Sequence, residues 1–297
     1  MTDVVRISDG TLVAEVQPGF GGRLLALYDE LPKGRIDWIV PAPASSGPDA
    51  PHVRAGCFPM VPYCNRIRDG WLEFAGRVFD VGAKHPWPGA GHGRGFLTAW
   101  TIEHRTSGEL DIRFDYEGKD WPSRYRAHQS FTVAERTLRV RLEVENTGAS
   151  AMPAGIGFHP YFPGRGTIEL VADRQVPITP DFEPGIETSF ADGPRYEGSP
   201  VAPGQVRCLS RWSGRANLSW RETGTLRLSA SPTLPFCVLF APPGTDSFCI
   251  EPCSHVIGGL NPPQPRAGSG IVILEPGNSL AGSISMECLL SEQTGQD

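Results

Sequence analysis

Two segments place an ionisable side chain at the end of an apolar run, where it could move a proton. In "GIGFHPYFPG" (155–164), His159 follows apolar residues that predict a buried strand. In "DSFCIEPC" (246–253), Glu251 ends a second apolar run immediately before a proline. A carboxylate is costly to bury there, and burial raises its pKa toward the range of a general base. We therefore predict a functional Glu251, whereas His159 is either catalytic or a satisfied core histidine.

Two loops carry side chains suited to reading hydroxyl groups. Asn65 and Arg66 stand between apolar residues in "CFPMVPYCNRIRDG" (57–70). An amide offers donors and an acceptor, and a guanidinium offers a fixed fork of donors, which together fit the vicinal hydroxyls of a sugar. His92 lies in "GAGHGRGF" (89–96), whose glycines would let the backbone bring an imidazole close to a ligand. The alternatives are a surface arginine in a turn and a solvated loop histidine.

Common nucleophile and metal motifs are missing from the sequence. It has no Gly-x-Ser-x-Gly, and the adjacent Ser254 and His255 would point to opposite faces of a strand. The 7 cysteines are scattered without the paired spacing typical of zinc sites. We therefore expect buried or free thiols, no metal and no cofactor. A carboxylate, two imidazoles and an Asn/Arg pair suit proton transfer on a neutral polyol.

The segments that must position these groups read as strands. "ELDIRFDYE" (109–117) and "TLRVRLEVE" (137–145) alternate apolar and polar residues, the period of a strand with one buried face. Shorter alternating runs recur at 11–16, 225–230, 236–240, 271–275 and 282–288. The 35 glycines and 29 prolines favour turns over helices. The sequence predicts an all-β fold, a large antiparallel β-sandwich, as a single domain over residues 1–297.

Charge and hydropathy limit the partners of this chain. It has 27 basic and 33 acidic residues, a net charge of −6, and no basic run of the kind that binds a phosphate backbone. No apolar run approaches the roughly 20 residues of a membrane span, and the N-terminal "MTDVVRISDG" lacks the features of a signal peptide. We expect a cytoplasmic monomer or homodimer that binds a small molecule, and neither nucleic acid nor membrane.

The order of these motifs resembles the aldose 1-epimerase (galactose mutarotase-like) family. Asn65-Arg66, His92-Gly93, "GFHPYF", "FCIEP" and a closing "LEPG" follow the family's order over nearly the whole chain, and are closest to a bacterial branch with His-Pro-Tyr-Phe. The resemblance implies a β-supersandwich and an isomerase that interconverts the α and β anomers of an aldose without a cofactor.

The resemblance also implies roles for individual residues. Glu251 would take the proton from the anomeric C1 hydroxyl, and His159 would protonate the ring oxygen. Arg66 and His92 would bind hydroxyls and steady the developing charge, and Asn65 would hold their loop. Tyr161, or its neighbour Phe162, would offer an apolar face to the C–H side of the sugar.

Three departures from the family pattern bear on the substrate. Many relatives carry an aspartate in the segment where this chain has Val206 and Arg207. Relatives often read Asp-Ala before the asparagine where this chain has Gly258-Gly259-Leu260-Asn261. The sugar-phosphate branch tends to place an arginine where this chain has Phe96. The sugar, a hexose or a pentose, and its phosphorylation therefore stay open.

Other functions are compatible with the same motifs. A hexose-6-phosphate 1-epimerase would need a basic pocket, which Arg54, Arg68 and Arg94 could supply. A non-catalytic sugar-binding or sensing protein on the same scaffold would tolerate the missing aspartate. A carbohydrate lyase or hydrolase fits less well, because a hydrolase usually needs two carboxylates and only Glu251 is well placed.

Overall fold

The computed structural model describes residues 4–32, 34–43, 54–82, 90–190, 195–261 and 268–291. The secondary structure of these residues is almost entirely strand, with two short 3₁₀ helices at Arg68–Gly70 and Gly95–Leu97. Neither these nor any other helix in the described ranges is long and apolar enough to cross a membrane.

The described strands number 22 in chain order. The first are β1 Val5–Ser8, β2 Leu12–Gln17, β3 Arg23–Leu31, β4 Gly34–Asp37, β5 Cys57–Met60, β6 Trp71–Phe74, β7 Arg77–Asp80, β8 Thr101–Arg105, β9 Glu109–Tyr116, β10 Tyr125–Ala134 and β11 Thr137–Asn146. The others are β12 Met152–Ala154, β13 Gly157–Pro163, β14 Thr167–Val176, β15 Thr188–Ser189, β16 Arg195–Glu197, β17 Val206–Trp220, β18 Gly224–Ala230, β19 Phe236–Phe240, β20 Ser247–Cys253, β21 Val272–Leu274 and β22 Ser279–Leu290. Every run that alternates in the sequence overlaps one of them, to within one residue at each end of a run.

The strand pairings, all antiparallel, link 18 strands into one continuous sheet, whose two layers, the first and the second sheet, meet at the long strand β17. The first sheet runs β1-β2-β3-β5-β13-β20-β19-β17-β14, with β4 beside β3 and both β15 and β16 beside β14. The second runs β17-β18-β22-β11-β10-β9-β8. Strand β17 pairs with β19 through residues 206–210 and with β18 through residues 215–220. Two separate pairs, β6–β7 and β12–β21, lie outside these sheets.

The main core lies between the two sheets. Leu110 and Ile112 of β9 are fully buried and belong to the same cluster as Phe158, Phe162 and Ile250 of the first sheet. Burying one apolar face of each sheet is what stabilises a sandwich, at about 25 cal/mol per Å² of apolar surface removed from water. The predicted all-β antiparallel sandwich is confirmed.

The opposite face of the first sheet carries the residues that could do chemistry. Because side chains alternate along a strand, β13 sends Phe158 and Phe162 into the main core and His159 and Tyr161 to the other face. A second apolar cluster on that face combines strand residues with residues of the loops that cover them: Phe58, Met60, Cys64, Phe96, Tyr161, Val176, Cys208, Phe236, Val238, Cys249, Cys253, Val256 and Ile257. All seven cysteines are buried and free, as the sequence predicted.

Candidate active site

His159 and Glu251 lie on adjacent strands at opposing positions. In the β13–β20 ladder Gly157 pairs with Cys253 and Tyr161 with Cys249, so the same register places His159 opposite Glu251. His159 Nε2 lies 3.3 Å from Glu251 Oε1. The two residues are only 4% and 2% exposed. Strand pairing thus brings together two groups that are far apart in the sequence.

Glu251 is a buried carboxyl group without a full set of donors. Its Oε2 has no hydrogen-bond partner among the described residues. The buried carboxylate of Asp29 also has one oxygen without a partner, Oδ1, but its Oδ2 accepts hydrogen bonds from Arg136 Nη2 at 2.8 Å and Trp38 Nε1 at 2.7 Å. Burial, with a smaller contribution from Cys64, raises the pKa of Glu251 well above its ordinary value. A group so poorly satisfied is a candidate for function more than for stability.

His159 is held by ring stacking. Its imidazole stacks with Phe58, at a centroid distance of 4.4 Å, and with Tyr161, at 4.8 Å. Nδ1 is buried and has no hydrogen-bond partner in the described part of the chain. Burial lowers the pKa of His159 to about 3, and the positive charge of Arg23 acts in the same direction. The rings fix the plane of the imidazole, and its Nε2 faces Glu251.

The opposite pKa shifts have a common consequence for the pair. A doubly protonated pair carries a positive charge and an unprotonated pair a negative one, and burial penalises both. With one proton the pair is neutral overall, whichever residue holds it. The pair therefore keeps a single proton over a wide range around neutral pH, which is the state needed to accept a proton at one atom and donate it at another.

Asn65 and His92 hold each other through two backbone-linked hydrogen bonds. His92 N–H donates to Asn65 O at 2.7 Å, and Asn65 N–H donates to His92 Nδ1 at 3.1 Å. Because a backbone N–H can only donate, Nδ1 is the acceptor and the ring proton lies on Nε2. The His92 ring meets the His159 ring edge-on, with centroids 5.1 Å apart. His92 is thus an oriented donor beside the acid/base pair.

Arg66 is half-buried in the same loop. Its backbone N–H donates to Asn65 Oδ1 at 2.9 Å, so Asn65 sets the path of the chain at this point. The guanidinium lies 5.1 Å above the Phe182 ring, and burial lowers the pKa of Arg66. Arg66 is therefore packed and oriented, unlike an arginine in an exposed turn.

A segment that the sequence did not single out covers this loop. We call residues 177–187, between β14 and β15, the strap. Besides Phe182 it carries Glu183, whose Oε1 accepts from Arg68 Nη1 at 2.6 Å and from Asn261 Nδ2 at 3.0 Å. Asn261 Oδ1 also accepts from the backbone N–H of Arg68 at 2.8 Å. No sequence motif predicts the strap. The glycine pair before Asn261 is the one indication in the sequence that another segment passes close to the backbone there.

Gly258 is required by the close approach of the strap. It has φ +72°, and a Cβ there would lie 2.2 Å from Phe182 O. We predict that Gly258→Ala weakens substrate binding, because Phe182 and Arg66 must move, and lowers the free energy of unfolding. Gly277 is a matched control, since its φ is +81° but nothing lies within 4 Å of a Cβ. In chemical denaturation the free energy of unfolding should fall by about 1–2 kcal/mol for Gly277→Ala. For Gly258→Ala it should fall by at least about twice that amount. Equal losses would contradict this packing.

The buried Arg23 is a second residue that the sequence analysis missed. Its Nη1 donates to Ala55 O at 3.0 Å, and its guanidinium lies 5.0 Å from the centroid of the Phe58 ring. Burial lowers the pKa of Arg23 to about 10. An arginine that starts the apolar run "RLLALY" was the available signal, because arginine is seldom fully buried without a purpose. Arg23 places a positive charge behind His159.

Ser254 and His255 have structural roles. His255 Nε2 accepts from Cys64 N–H at 2.8 Å, which leaves its Nδ1 proton for Val256 O, also at 2.8 Å. Ser254 Oγ accepts from Ile156 N–H at 2.9 Å. Both side chains thus hold the loop after β20 and are not arranged as a nucleophile and its base.

The three arginines considered for a phosphate pocket have other partners. Arg94 forms an ion pair with Asp120, and Arg68 forms one with Glu183. Arg54 Nη1 donates to Pro243 O at 2.8 Å. Two of the three charges are therefore neutralised by carboxylates before any ligand binds.

The departure at Val206 and Arg207 lies at the start of β17. Arg207 extends over the ring of Phe190 at 5.6 Å, and Val206 pairs with Phe240 of β19. The positions where many relatives carry an aspartate thus hold an apolar residue and a cation.

Comparisons with known proteins agree with this architecture. The sequence profile of the aldose 1-epimerase family matches residues 3–287. The uncharacterised protein YphB of Escherichia coli K12 is 27% identical over 250 residues, which cover 78% of this chain and 83% of YphB. The crystal structure of a putative aldose 1-epimerase from E. coli K12 superposes with a TM-score of 0.83 at 23% identity, covering 97% of this chain and 99% of that one. Galactose 1-epimerase from Lactobacillus acidophilus superposes with a TM-score of 0.73 at 16% identity, covering 98% and 96%. At these identities the two structures show a shared fold.

Proposed function

The chain belongs to the aldose 1-epimerase family, and from that premise we propose that it interconverts the α and β anomers of an unphosphorylated aldose without a cofactor. The observation that carries the proposal is the buried pair of Glu251 and His159, whose Oε1 and Nε2 lie 3.3 Å apart. In a cyclic aldose the oxygen of the anomeric hydroxyl and the ring oxygen are both bonded to C1. A base and an acid that serve both must therefore lie close together.

The reaction follows from a pair that shares one proton. The shared proton, which the shifted pKa values place on Glu251, first crosses to His159. The Glu251 carboxylate then removes the proton from the C1 hydroxyl, the C1–ring-oxygen bond breaks, and the ring oxygen takes its electron pair and a proton from His159. Rotation about C1–C2 turns the other face of the aldehyde to the ring hydroxyl, and the same two groups act in reverse to close the ring. Each positioned acid or base typically contributes about 10²–10⁴-fold.

The surrounding residues supply orientation and charge stabilisation. His92 offers its Nε2–H next to His159, and Arg66 offers guanidinium donors from its place over Phe182. Donors that are fixed before the substrate arrives stabilise the charge that develops on oxygen. Tyr161 uses one ring face to orient His159, so a contact with the sugar would come from its other parts.

The ion pairs of the candidate phosphate-binding arginines favour a neutral sugar. A phosphate would have to displace Asp120 from Arg94 or Glu183 from Arg68. A neutral hexose or pentose needs hydrogen-bond donors and acceptors, which Asn65, Arg66 and His92 provide.

A sugar-binding protein without catalysis is the second candidate, favoured by Val206 and Arg207 at the position of the usual aspartate. Polarimetry and exchange NMR on freshly dissolved glucose, galactose, xylose and glucose 6-phosphate distinguish the candidates. We expect faster exchange than the spontaneous rate for at least one free sugar, and slower turnover of the phosphate. Binding without exchange would support the sensing protein, and preference for the phosphate would overturn the assigned substrate class but not the mechanism.

A further inference from the structure

We propose that His159, Cys249 and Glu251 together form a binding site for a thiophilic divalent cation such as Zn²⁺. One donor atom from each residue lies within 4.8 Å of the donors of the other two, and all three side chains are buried. Cys249 precedes Glu251 by two positions in β20, so both side chains point to the same face. Across the ladder Tyr161 pairs with Cys249, which places His159 next to both β20 ligands.

The separations suit a tetrahedral ion. With bonds of about 2.0–2.1 Å to nitrogen and oxygen and about 2.3 Å to sulfur, neighbouring ligand atoms lie about 3.3–3.6 Å apart. His159 Nε2 and Glu251 Oε1 are already 3.3 Å apart. The Cys249 sulfur, within 4.8 Å of a donor atom of each of the other two residues, has to approach by at most about 1.3 Å.

A second observation points to a missing ligand. Glu251 Oε2, the second oxygen of the carboxylate that carries Oε1, is buried and lacks a hydrogen-bond partner among the described residues. Glu251 is only 2% exposed. An ion bound by the carboxylate would compensate a carboxyl group that the protein itself satisfies poorly.

The charges balance in the proposed site. A thiolate and a carboxylate neutralise a divalent cation, and a neutral imidazole completes three protein ligands with a fourth position open. When the ion binds, the Cys249 thiol loses its proton to solvent. The acid/base pair loses its shared proton to solvent in the same step. Arg23 opposes a cation here, and the two anionic ligands must outweigh it.

The sequence predicted no metal because it lacks paired ligand spacing. That spacing is typical of structural zinc sites built on one loop, and it does not report on ligands that two separate strands bring together. The proposed ion is an inhibitor and not a cofactor, because it occupies both groups that must move a proton. The inhibition, unlike the binding, rests on the proposed function.

Titration with Co²⁺ tests the binding directly. We expect wild-type protein to develop a thiolate-to-cobalt charge-transfer band that Zn²⁺ abolishes by displacement. Cys249→Ala should lose the band and at least tenfold in affinity. Cys208→Ala is the matched control, because Cys208 is buried on the same face but outside the three ligands. Equal cobalt binding by Cys249→Ala, or no band in wild-type protein, would overturn the site.

Thermal unfolding and a second variant separate loss of the site from loss of the fold. Glu251→Gln should also weaken cobalt binding, and both variants should unfold cooperatively. In the anomer-exchange assay Zn²⁺ should inhibit wild-type and Cys208→Ala protein, while Cys249→Ala should resist it. If no sugar is turned over, the cobalt spectra still decide whether the site exists, so the two proposals can fail separately.

Discussion

Glu251→Gln is expected to lower kcat for anomer exchange by about 10²–10⁴-fold while the protein stays folded. Glutamine has nearly the same shape as glutamate, but its amide cannot accept the proton of the C1 hydroxyl. Sugar binding should change much less than kcat, because the hydroxyl-binding residues Asn65, Arg66 and His92 are untouched. Exchange NMR gives the rate, and isothermal titration with the sugar gives the affinity. A rate close to wild type would remove Glu251 from the mechanism.

The same substitution is expected to stabilise the protein at neutral pH. The pKa of Glu251 is raised in the folded state, so the folded protein holds this proton more tightly than the unfolded chain. Its contribution to stability is full below the unfolded pKa of about 4.5 and is lost as pH rises toward the folded pKa. Glutamine does not titrate, so the Tm difference between variant and wild type should grow from about pH 4.5 upward.

Asp29→Asn is the matched control for this stability effect. Asp29 is equally buried but is neutralised by Arg136, with a second hydrogen bond from Trp38. Asp29→Asn removes the negative charge and leaves the partly buried guanidinium of Arg136 with a neutral partner. This variant should therefore be less stable than wild type. If Glu251→Gln lowers the Tm at neutral pH as Asp29→Asn does, Glu251 is a structural carboxylate.

The sequence was sufficient to predict the fold class, because the alternation of apolar and polar residues that indicates a strand is a local pattern. A strand with one face in a core shows its period in every stretch of eight or nine residues, as in 109–117 and 137–145. The identities of Glu251 and His159 also stood out, since polar groups at the ends of apolar strands are unusual. The position of a polar group at the end of an apolar run can be read along one strand, without knowing how the strands pair.

Contacts across the sheet could not be predicted in the same way. That Cys249 lies beside His159, or that Arg23 lies behind Phe58, depends on the strand order and on the register of pairing, and a shift of one residue would reverse the faces. The pairing of Arg94 with Asp120 joins residues 26 positions apart through the folded chain. Arginine charges alone therefore suggested a phosphate pocket, and only the position of the carboxylates argues against it.

His159→Gln is expected to lower kcat by about 10²–10⁴-fold, and the double variant with Glu251→Gln should be little worse than the poorer single variant. Two groups that share one proton act as a unit, because removing either one prevents the transfer at both oxygens. If the two residues acted independently, the fold-losses in kcat of the two single variants would multiply in the double variant. His128→Gln is the control, since this histidine is partly exposed on the second sheet and its Nδ1 lies 3.2 Å from Glu103.

The pH dependence of the wild-type rate tests the same idea without a substitution. A second proton binds only as pH falls toward the His159 pKa of about 3, and the shared proton is lost only above the raised pKa of Glu251. After subtraction of the spontaneous reaction, kcat/KM should therefore be flat through neutral pH, with no step near the ordinary histidine pKa of about 6.5. A step there would mean that His159 titrates as a solvated imidazole, and the neutral, proton-sharing pair would have to be abandoned.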